Sequence, residues 1–299
     1  MNDTYTRSDL ACESTPRRSG DGEGTEYTER RVGEFGVSRL RVFTDEAAGA
    51  LGKPRGVYVT ISCGRIDRLS EDACARLSRL IAGELRGLAG RLTGKCVDAE
   101  LGVFVAGLGN AELTADAVGP KTVARLTATR HLRDHEHALF HSIGCASISA
   151  LAPGVLGQTG IETLELLQSA VACVRPDLIV VIDALAARNC DRLAATVQIS
   201  DAGIAPGSGV GNHRAAIDRA SVGVPVIAVG VPTVVDSSAL VYDVLGQAGV
   251  EEISEDIRAV LENGKSFFVS PKECDVISEQ VASVLSRALG LAFAGELAE

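Results

Sequence analysis

Two aspartates stand where apolar, strand-like runs of the sequence come to an end. Asp183 closes the run LIVVID at residues 178–183, and Asp116 follows the run VFVAGL at 103–108 after a short loop. Both runs lack a polar face, as buried parallel strands do. Ligands and chemistry collect at the carboxyl ends of strands in open parallel sheets. If these strands are neighbours, their acids meet at one edge of the sheet, where a carboxylate pair can act as general acid and general base.

The same acids also have a structural explanation. An Asp that follows a strand is commonly the N-cap of the next helix, and Asp116 is placed to cap its own helix. Glu112, Asp201 and Asp236 are further acids near predicted loops. Spacing alone does not separate these acids from the proposed pair.

Strand and helix patterns alternate along the chain and predict the elements that position these acids. Strands are expected at 56–62, 103–108, 178–185, 196–200 and 224–230, and helices at 70–92, 116–126, 160–174 and 276–291. This order predicts an α/β fold, a three-layer sandwich with a mostly parallel twisted sheet. One domain is expected over residues 31–299, with an antiparallel addition near 195–215.

The start of the chain differs in composition from the rest. Residues 10–30 are polar and rich in Ser, Thr, Arg, Glu and Gly. Such a segment has little apolar surface to offset the entropy lost on ordering, so we expect it to be flexible.

Charge and composition exclude several classes of function. The formal net charge is −10 and no basic tract is present, so no direct nucleic-acid partner is expected. No uninterrupted apolar run reaches about 18 residues, the length that suggests a membrane helix. The N-terminus also lacks the apolar stretch of a signal peptide, which favours a cytoplasmic protein without a membrane partner. The cysteines form no Cys-x-x-Cys pair, and buried free thiols are expected.

Two glycine-rich stretches are candidates for holding an extended peptide through backbone groups. Gly157 and Gln158 lie in the first, and Gly207 and Gly209 lie in the second. Neither stretch has the spacing of a phosphate loop or of a dinucleotide fingerprint. No cofactor is therefore expected, and tight-turn geometry is the alternative explanation for the glycines.

Four histidines cluster within residues 130–141. His131 and His135, like His137 and His141, are four residues apart, which places each pair on one face of a helix. The His-Glu-x-x-His order of zinc peptidases is missing. A solvated polar segment is the simpler interpretation, and no metal ligand is assigned.

A series of short motifs, taken in order, resembles the spore germination protease family. The motifs lie at residues 107–110, 116–120, 129–132, 152–163, 176–188, 200–212 and 223–233. The resemblance implies an endopeptidase that degrades small acid-soluble spore proteins during germination. It further implies a homotetramer, a fold similar to that of hydrogenase maturation endopeptidases (phosphorylase/hydrolase-like), and an atypical aspartic mechanism with Asp116 and Asp183 as the catalytic pair. Ala115 departs from the family pattern, where Pro is expected before the Asp.

The resemblance also implies a zymogen that removes its own N-terminal segment. The family cuts after an acid that is followed by a large apolar residue and Ala, and the sequence DLA at residues 9–11 fits. Self-cleavage is therefore expected between Asp9 and Leu10, with residues 1–9 as the propeptide.

Three other functions remain open from the sequence. They are a metal-linked maturation peptidase on the same fold that uses Asp116, Asp183 and a histidine, a serine or cysteine peptidase, and a non-catalytic peptide-binding protein. No Gly-x-Ser-x-Gly motif supports the second.

Overall fold

One twisted sheet contains all the strands of the described part of the chain. The computed structural model describes residues 8–14, 23–207, 214–250, 253–263 and 267–295. The strands are β1 (Thr25–Val32), β2 (Phe35–Val42), β3 (Gly56–Ser62), β4 (Gly102–Gly107), β5 (Ser147–Leu151), β6 (Leu178–Ala187), β7 (Thr196–Ser200), β8 (Val226–Asp236) and β9 (Phe268–Val269). Their order is β1-β2-β3-β7-β8-β6-β4-β5, with β9 paired to β8.

Helices connect these strands and cover both faces of the sheet. They are α1 (Asp45–Leu51), α2 (Glu71–Thr93), α3 (Val118–Ala124), α4 (Arg130–His135), α5 (His137–Ile143), α6 (Leu156–Thr159), α7 (Thr163–Val174), α8 (Arg219–Val222), α9 (Ser237–Gln247), α10 (Glu255–Asn263) and α11 (Cys274–Leu289). The longest of these, α2, starts at the capping hydroxyl of Ser70 and ends at the left-handed Gly94, as cap chemistry favours.

Two apolar cores lie on opposite faces of the sheet and confirm the predicted three-layer α/β architecture. On one face, Leu77 of α2 and Ile277 of α11 pack in a core with Val180 of β6. On the other face, Leu167 of α7 packs in a core with Val181 of β6. Adjacent residues of β6 therefore enter different cores, which explains why the strand is apolar throughout.

Parallel pairing is confined to one half of the sheet. Strands β5, β4, β6 and β8 are parallel, whereas β1, β2, β3 and β7 pair antiparallel and β7 joins β8 antiparallel. The antiparallel half is larger than the addition predicted near 195–215. The β1–β2 hairpin was not predicted because the exposed, charged residues of β1 resemble a flexible segment in composition. Strand β7 is antiparallel, as predicted, but it is an interior strand.

The prediction that residues 10–30 are flexible is wrong for both ends of that range. Leu10 and Ala11 are completely buried, and β1 already begins at Thr25. Residues 15–22 lie outside the described residues. The composition of the whole segment concealed the few apolar side chains that hold its ends to the sheet.

Within the described part of the chain, one helical stretch meets the length and composition of a membrane span. It is Cys274–Ala294, which has a mean hydropathy of 1.2, and 61% of its most apolar window is buried inside the domain. The core helices of water-soluble domains meet the same criterion. Scattered polar residues interrupt this stretch, so it contains no uninterrupted apolar run of the length expected for a membrane helix.

Helix α3 lies unusually close to the sheet, and two glycines make this possible. A Cβ atom on Gly119 of α3 would lie 2.2 Å from the carbonyl oxygen of Leu108 and 2.7 Å from that of Ile182. A Cβ atom on Gly107 at the end of β4 would lie 2.3 Å from the carbonyl oxygen of Gly119. Backbone therefore contacts backbone here. This contact holds the turn before α3, which contains Asp116, against the ends of β4 and β6.

We predict that Gly119→Ala lowers the free energy of unfolding by about 1–3 kcal/mol, because the new methyl group pushes α3 off the sheet. Gly87→Ala is the matched control, since Gly87 is exposed on α2 and a Cβ atom there meets open space. That control should raise stability by about 0.5–1 kcal/mol through helix propensity. Urea unfolding measures both changes, and equal effects of the two substitutions would disprove the close contact.

Candidate active site

Strand β6 continues past the end of its neighbour β4, and the site lies on the part of β6 beyond that end. The two strands are parallel neighbours, and their pairing ends at Gly107 opposite Ile182. The N–H of Leu108 then donates to the carbonyl of Ile182 at 2.8 Å. Asp183 is the next residue of β6, which runs on to Ala187 beside β8. Asp183 therefore lies inside β6, as the expected strand at 178–185 implies, and does not close the strand as the end of the apolar run at 178–183 indicated.

The Asp183 carboxyl is buried where β6 passes the end of β4, with 6% of the residue exposed. Its Oδ1 accepts a hydrogen bond from the N–H of Ala184 at 3.0 Å. Burial raises the pKa of Asp183 well above its usual value, and the charges of Asp116 and Asp9 raise it further. The Ala184 N–H and the Arg214 guanidinium oppose this rise in pKa only in part.

Asp116 lies in a 3₁₀ turn, Thr114–Asp116, directly before α3. Its Oδ2 accepts from the N–H of Asn110 at 2.7 Å. Ala117 is the N-cap of α3 and no side chain caps that helix, so Asp116 does not have the capping role that the sequence left open. The predicted helix at 116–126 begins two positions later than expected, at Val118.

The pKa of Asp116 is also raised, but burial alone raises it, whereas burial and two neighbouring acids raise the pKa of Asp183. Burial raises the pKa of Asp116, while the Asn110 N–H and Arg214 lower it. The Asn110 loop approaches so closely that a Cβ atom on Gly109, whose φ is +109°, would lie 2.0 Å from the carbonyl oxygen of Asp116. Because Asp183 is the more deeply buried acid, it holds a proton more readily than Asp116 does.

The other acids near loops have structural partners. Asp201 accepts from the N–H of Val57 at 2.6 Å, which ties the end of β7 to β3. Asp236 caps α9 by accepting from the N–H of Ser238 at 2.8 Å. Glu112 is exposed. The structure thus distinguishes Asp116 and Asp183 from the acids that spacing could not separate from them.

The predicted glycine loops are only partly connected to these acids. The Nε2 of Gln158 donates to Oδ1 of Asn110 at 2.9 Å, and the N–H of Asn110 donates to Asp116. Asn110 therefore links Gln158 to Asp116 by hydrogen bonds. Gly157 is exposed beside it in α6. Gly207 has a left-handed φ of +74°, as a tight turn requires, and Gly209 lies outside the described residues.

Residues 8–14 lie across the sheet next to Asp183. The N–H of Asp9 donates to the carbonyl of Ala186 at 3.0 Å, and the N–H of Ala186 donates to Oδ2 of Asp9 at 2.9 Å. Leu10 is completely buried and packs with Leu185, Leu193 and Val235. The predicted cleavage residues are therefore docked beside the acid pair.

Glu13 fixes the other end of this segment. Its carboxylate accepts from the N–H of Arg188 at 2.8 Å and from the N–H of Asn189 at 2.9 Å. The Arg188 guanidinium also donates to the carbonyl of Glu13. These bonds hold the segment over residues that immediately follow β6.

Gln198 of β7 is a site residue that sequence reasoning missed. Its Nε2 donates to the carbonyl of Asp9 at 3.0 Å, and its Oε1 accepts from the N–H of Ala11 at 2.6 Å. The alternation of TVQIS assigned Gln198 to a polar face of the strand, but that face is covered by the N-terminal segment. No local pattern identifies a polar strand residue as one that holds a distant piece of chain.

The histidine cluster lies apart from the acid pair in the hydrogen-bond network of the described residues. His137 and His141 lie on exposed parts of α5 with their Nε2 atoms 3.0 Å apart. Within the described ranges, no three or more His, Cys, Asp or Glu side chains are grouped to hold a metal ion. His213 lies outside those ranges.

Comparison with known proteins decides the family. The family profile described as Germination protease matches residues 7–248. The chain belongs to the germination protease family. Membership makes the protein a peptidase of spore germination, and the matched range includes Asp9, Asp116, Asp183 and Gln198.

Relatives within the germination protease family match over nearly the whole chain. The Germination protease of Caldanaerobacter subterraneus subsp. tengcongensis is 39% identical over 90% of this chain and 89% of its own length. That of Clostridium perfringens is 36% identical over 96% of this chain and 94% of its own length. Among solved structures, the NiFe hydrogenase maturation protease HycI of Thermococcus kodakarensis KOD1 is 16% identical with a TM-score of 0.34, over 63% of this chain and 92% of that one.

We predict that Asp183→Asn makes this germination protease more stable at neutral pH. Because the pKa of Asp183 is raised in the folded state, the unfolded chain loses that proton first as pH rises. Stability therefore falls with pH from about 3.9, the unfolded value, up to the raised folded value. The amide has no such proton, so the variant should show a higher Tm and a shallower decline. Asp201→Asn keeps an acceptor for the Val57 N–H and serves as the control. If both variants and the parent lost stability with pH in the same way, the raised pKa of Asp183 would be contradicted.

Proposed function

We propose that this protein is an atypical aspartic endopeptidase that starts the degradation of small acid-soluble spore proteins in the spore core. The observation that carries the proposal is the buried Asp183, coupled to Asp116, beside a docked peptide segment of its own chain. A buried acid that favours its protonated form next to a better-stabilised carboxylate is the arrangement that hydrolytic acid–base chemistry requires.

In the proposed mechanism the two acids have different tasks. Asp116, ionised and oriented by the Asn110 N–H, accepts a proton from a water molecule whose oxygen forms the new bond to the peptide carbonyl carbon. Asp183, protonated, donates its proton to the leaving nitrogen as the carbon–nitrogen bond breaks. The products are a new carboxyl terminus and a new amine. The proton that Asp116 took from water then passes to Asp183, directly or through solvent, which restores the starting protonation of both acids.

The docked segment supports self-processing of a zymogen between Asp9 and Leu10. While residues 8–14 cover the sheet face, a substrate cannot occupy the same backbone partners and the Leu10 pocket. A cut before Leu10 creates an ammonium group inside the apolar cluster that surrounds this side chain. Burial of that charge is unfavourable, so cleavage promotes departure of the segment and opens the face for a substrate peptide.

A substrate would bind as an extended chain in the place of the segment. Backbone pairing at the exposed part of a strand is a common way to hold such peptides. Ala186 supplies a donor and an acceptor in the structure, and the loops of Gly157, Gln158, Gly207 and Gly209 are proposed to line the continuation of the groove.

Exposed apolar side chains support assembly with further copies of this chain as a homotetramer. They are concentrated in α9, α10 and β9, and include Val244, Ile257, Val260, Phe267 and Phe268. Clusters of exposed apolar residues commonly mark protein interfaces. We propose that the copies meet on this surface, which is formed by the described residues 241–250, 253–261 and 267–269.

We predict that Asp116→Asn and Asp183→Asn each reduce peptide cleavage by at least 10²–10⁴-fold, the usual contribution of general acid–base catalysis. Both variants should remain folded. The assay incubates the protein with a small acid-soluble spore protein and maps fragments by mass, and N-terminal sequencing should give Leu10 as the first residue of the processed parent. Near-normal turnover by Asp183→Asn would reject the acid pair, and a different first residue would reject the cleavage site.

We predict that Val260→Glu lowers the solution mass from that of a tetramer, because a charge is placed in the proposed interface. Val260 is 70% exposed in the single chain, so folding should be unaffected. Val276→Glu is the matched control, since Val276 is also exposed but lies outside 241–269 on α11. Light scattering on both variants tests the surface, and an unchanged mass for Val260→Glu would exclude it.

A further inference from the structure

The side-chain amide of Gln198 contacts the backbone on both sides of Leu10. Its Nε2 donates to the Asp9 carbonyl at 3.0 Å, and its Oε1 accepts from the Ala11 N–H at 2.6 Å. Gln198 is 9% exposed. A buried amide needs partners for both its donor and its acceptor, and this one finds them in a peptide backbone 187 residues away in sequence.

The sheet register places Gln198 level with Asp183. Gln198 pairs with Gly230 of β8, and Gly230 pairs with Asp183 of β6. Side chains in one such row point to the same face, and two strand spacings separate the outer residues by about 10 Å. The Gln198 amide and the Asp183 carboxyl therefore approach a peptide on this face from two sides.

Gly230 lies between Gln198 and Asp183 in this row, and its lack of a side chain leaves space for a neighbouring residue. A Cβ atom on Gly230 would lie 2.4 Å from Cγ of Leu185, so the absence of a side chain allows Leu185 to lie across the row. Leu185 in turn packs against Leu10. The space between the Gln198 amide and the Asp183 carboxyl is therefore lined by Leu185, which forms part of the pocket for Leu10, the residue that follows the proposed cut.

We infer that Gln198 fixes which peptide bond is cut and polarises its carbonyl. This inference rests on the proposed function. Nε2 donates to the carbonyl oxygen of the scissile bond, whose negative charge grows as water attacks, and such donors act most strongly at that stage. Oε1 requires a backbone N–H two residues further on, so the substrate class is an extended peptide without proline at that position.

The charged groups around the held segment come from several elements. Asp183 belongs to β6, and the Arg188 guanidinium, just after β6, donates to the Glu13 carbonyl. Asp9 and Glu13 belong to the segment itself, and the Lys53 ammonium donates to the Ser8 carbonyl at 2.8 Å. The charges of Asp116 and Arg214 act on Asp183 from outside β6. Gln198→Glu therefore places a third acid near Asp183 and Asp9. When protonated, that acid reproduces the donor and the acceptor of the amide, and when ionised it loses the donor.

The test measures kcat and KM of the processed enzyme on a synthetic peptide that copies residues 4–18. A second peptide carries N-methylalanine at the position of Ala11. For the parent enzyme, methylation should lower kcat/KM about tenfold, the value of one lost backbone hydrogen bond. Gln198→Leu should lower kcat by about 10²–10³-fold, show no further loss with the methylated peptide, and cut at neighbouring bonds as well. Gln168→Leu, at an exposed position of α7, is the matched control and should behave as the parent.

The outcomes separate this inference from the proposed function. If the parent cleaves neither peptide, the proposed function fails and the inference fails with it. If the parent cleaves but Gln198→Leu keeps the same kcat, the same single cut and the same methylation penalty, only the inference is overturned. Should Gln198→Leu fold poorly, Gln198→Glu decides: its rate relative to the parent should fall as pH rises, and a constant ratio contradicts the role.

Discussion

Burial of the Asp183 carboxyl beside a second acid is the constraint on which the rest of the site depends. An ionised carboxylate in that position is unfavourable, and both Asp116 and Asp9 make it more so. The surroundings must therefore keep a proton on Asp183 while they stabilise the charge on Asp116. The Asn110 N–H does this for Asp116. In the proposed mechanism, the different surroundings of the two acids, rather than their mere presence, assign the proton to Asp183 and the charge to Asp116.

Backbone contacts keep this arrangement in place. Gly107 and Gly119 let α3 contact the ends of β4 and β6 directly, and the turn before α3 carries Asp116 with it. Because β4 ends at this contact while β6 continues, the same feature that positions one acid exposes the strand that carries the other. The N-terminal segment binds that part of β6 through hydrogen bonds between Asp9 and Ala186. The early end of β4 therefore accounts for the position of both acids and for the place where the segment binds.

Much of the fold was predictable because its signals are local. The apolar strands β4 and β6, the alternating β7, and the amphipathic helices α2 and α11 follow from residue periodicity. The β1–β2 hairpin and the docking of Leu10 were not predictable in the same way. Strand β1 has the composition of a flexible segment and is ordered by pairing with β2, and Leu10 is a single apolar residue whose partners, Leu185 and Val235 among them, are distant in sequence.

Residue type and short-range spacing were enough to predict the α/β class, the family motifs, and Asp116 and Asp183 as candidate acids. Three further features follow from the three-dimensional arrangement alone. Asp183 lies within β6 rather than at its end, Asp201 and Asp236 have structural partners, and Gln198 holds the backbone on both sides of Leu10. These are relations between segments far apart in the chain. They depend on strand register and on which backbone groups a neighbouring strand leaves available, and neither is encoded in any local pattern.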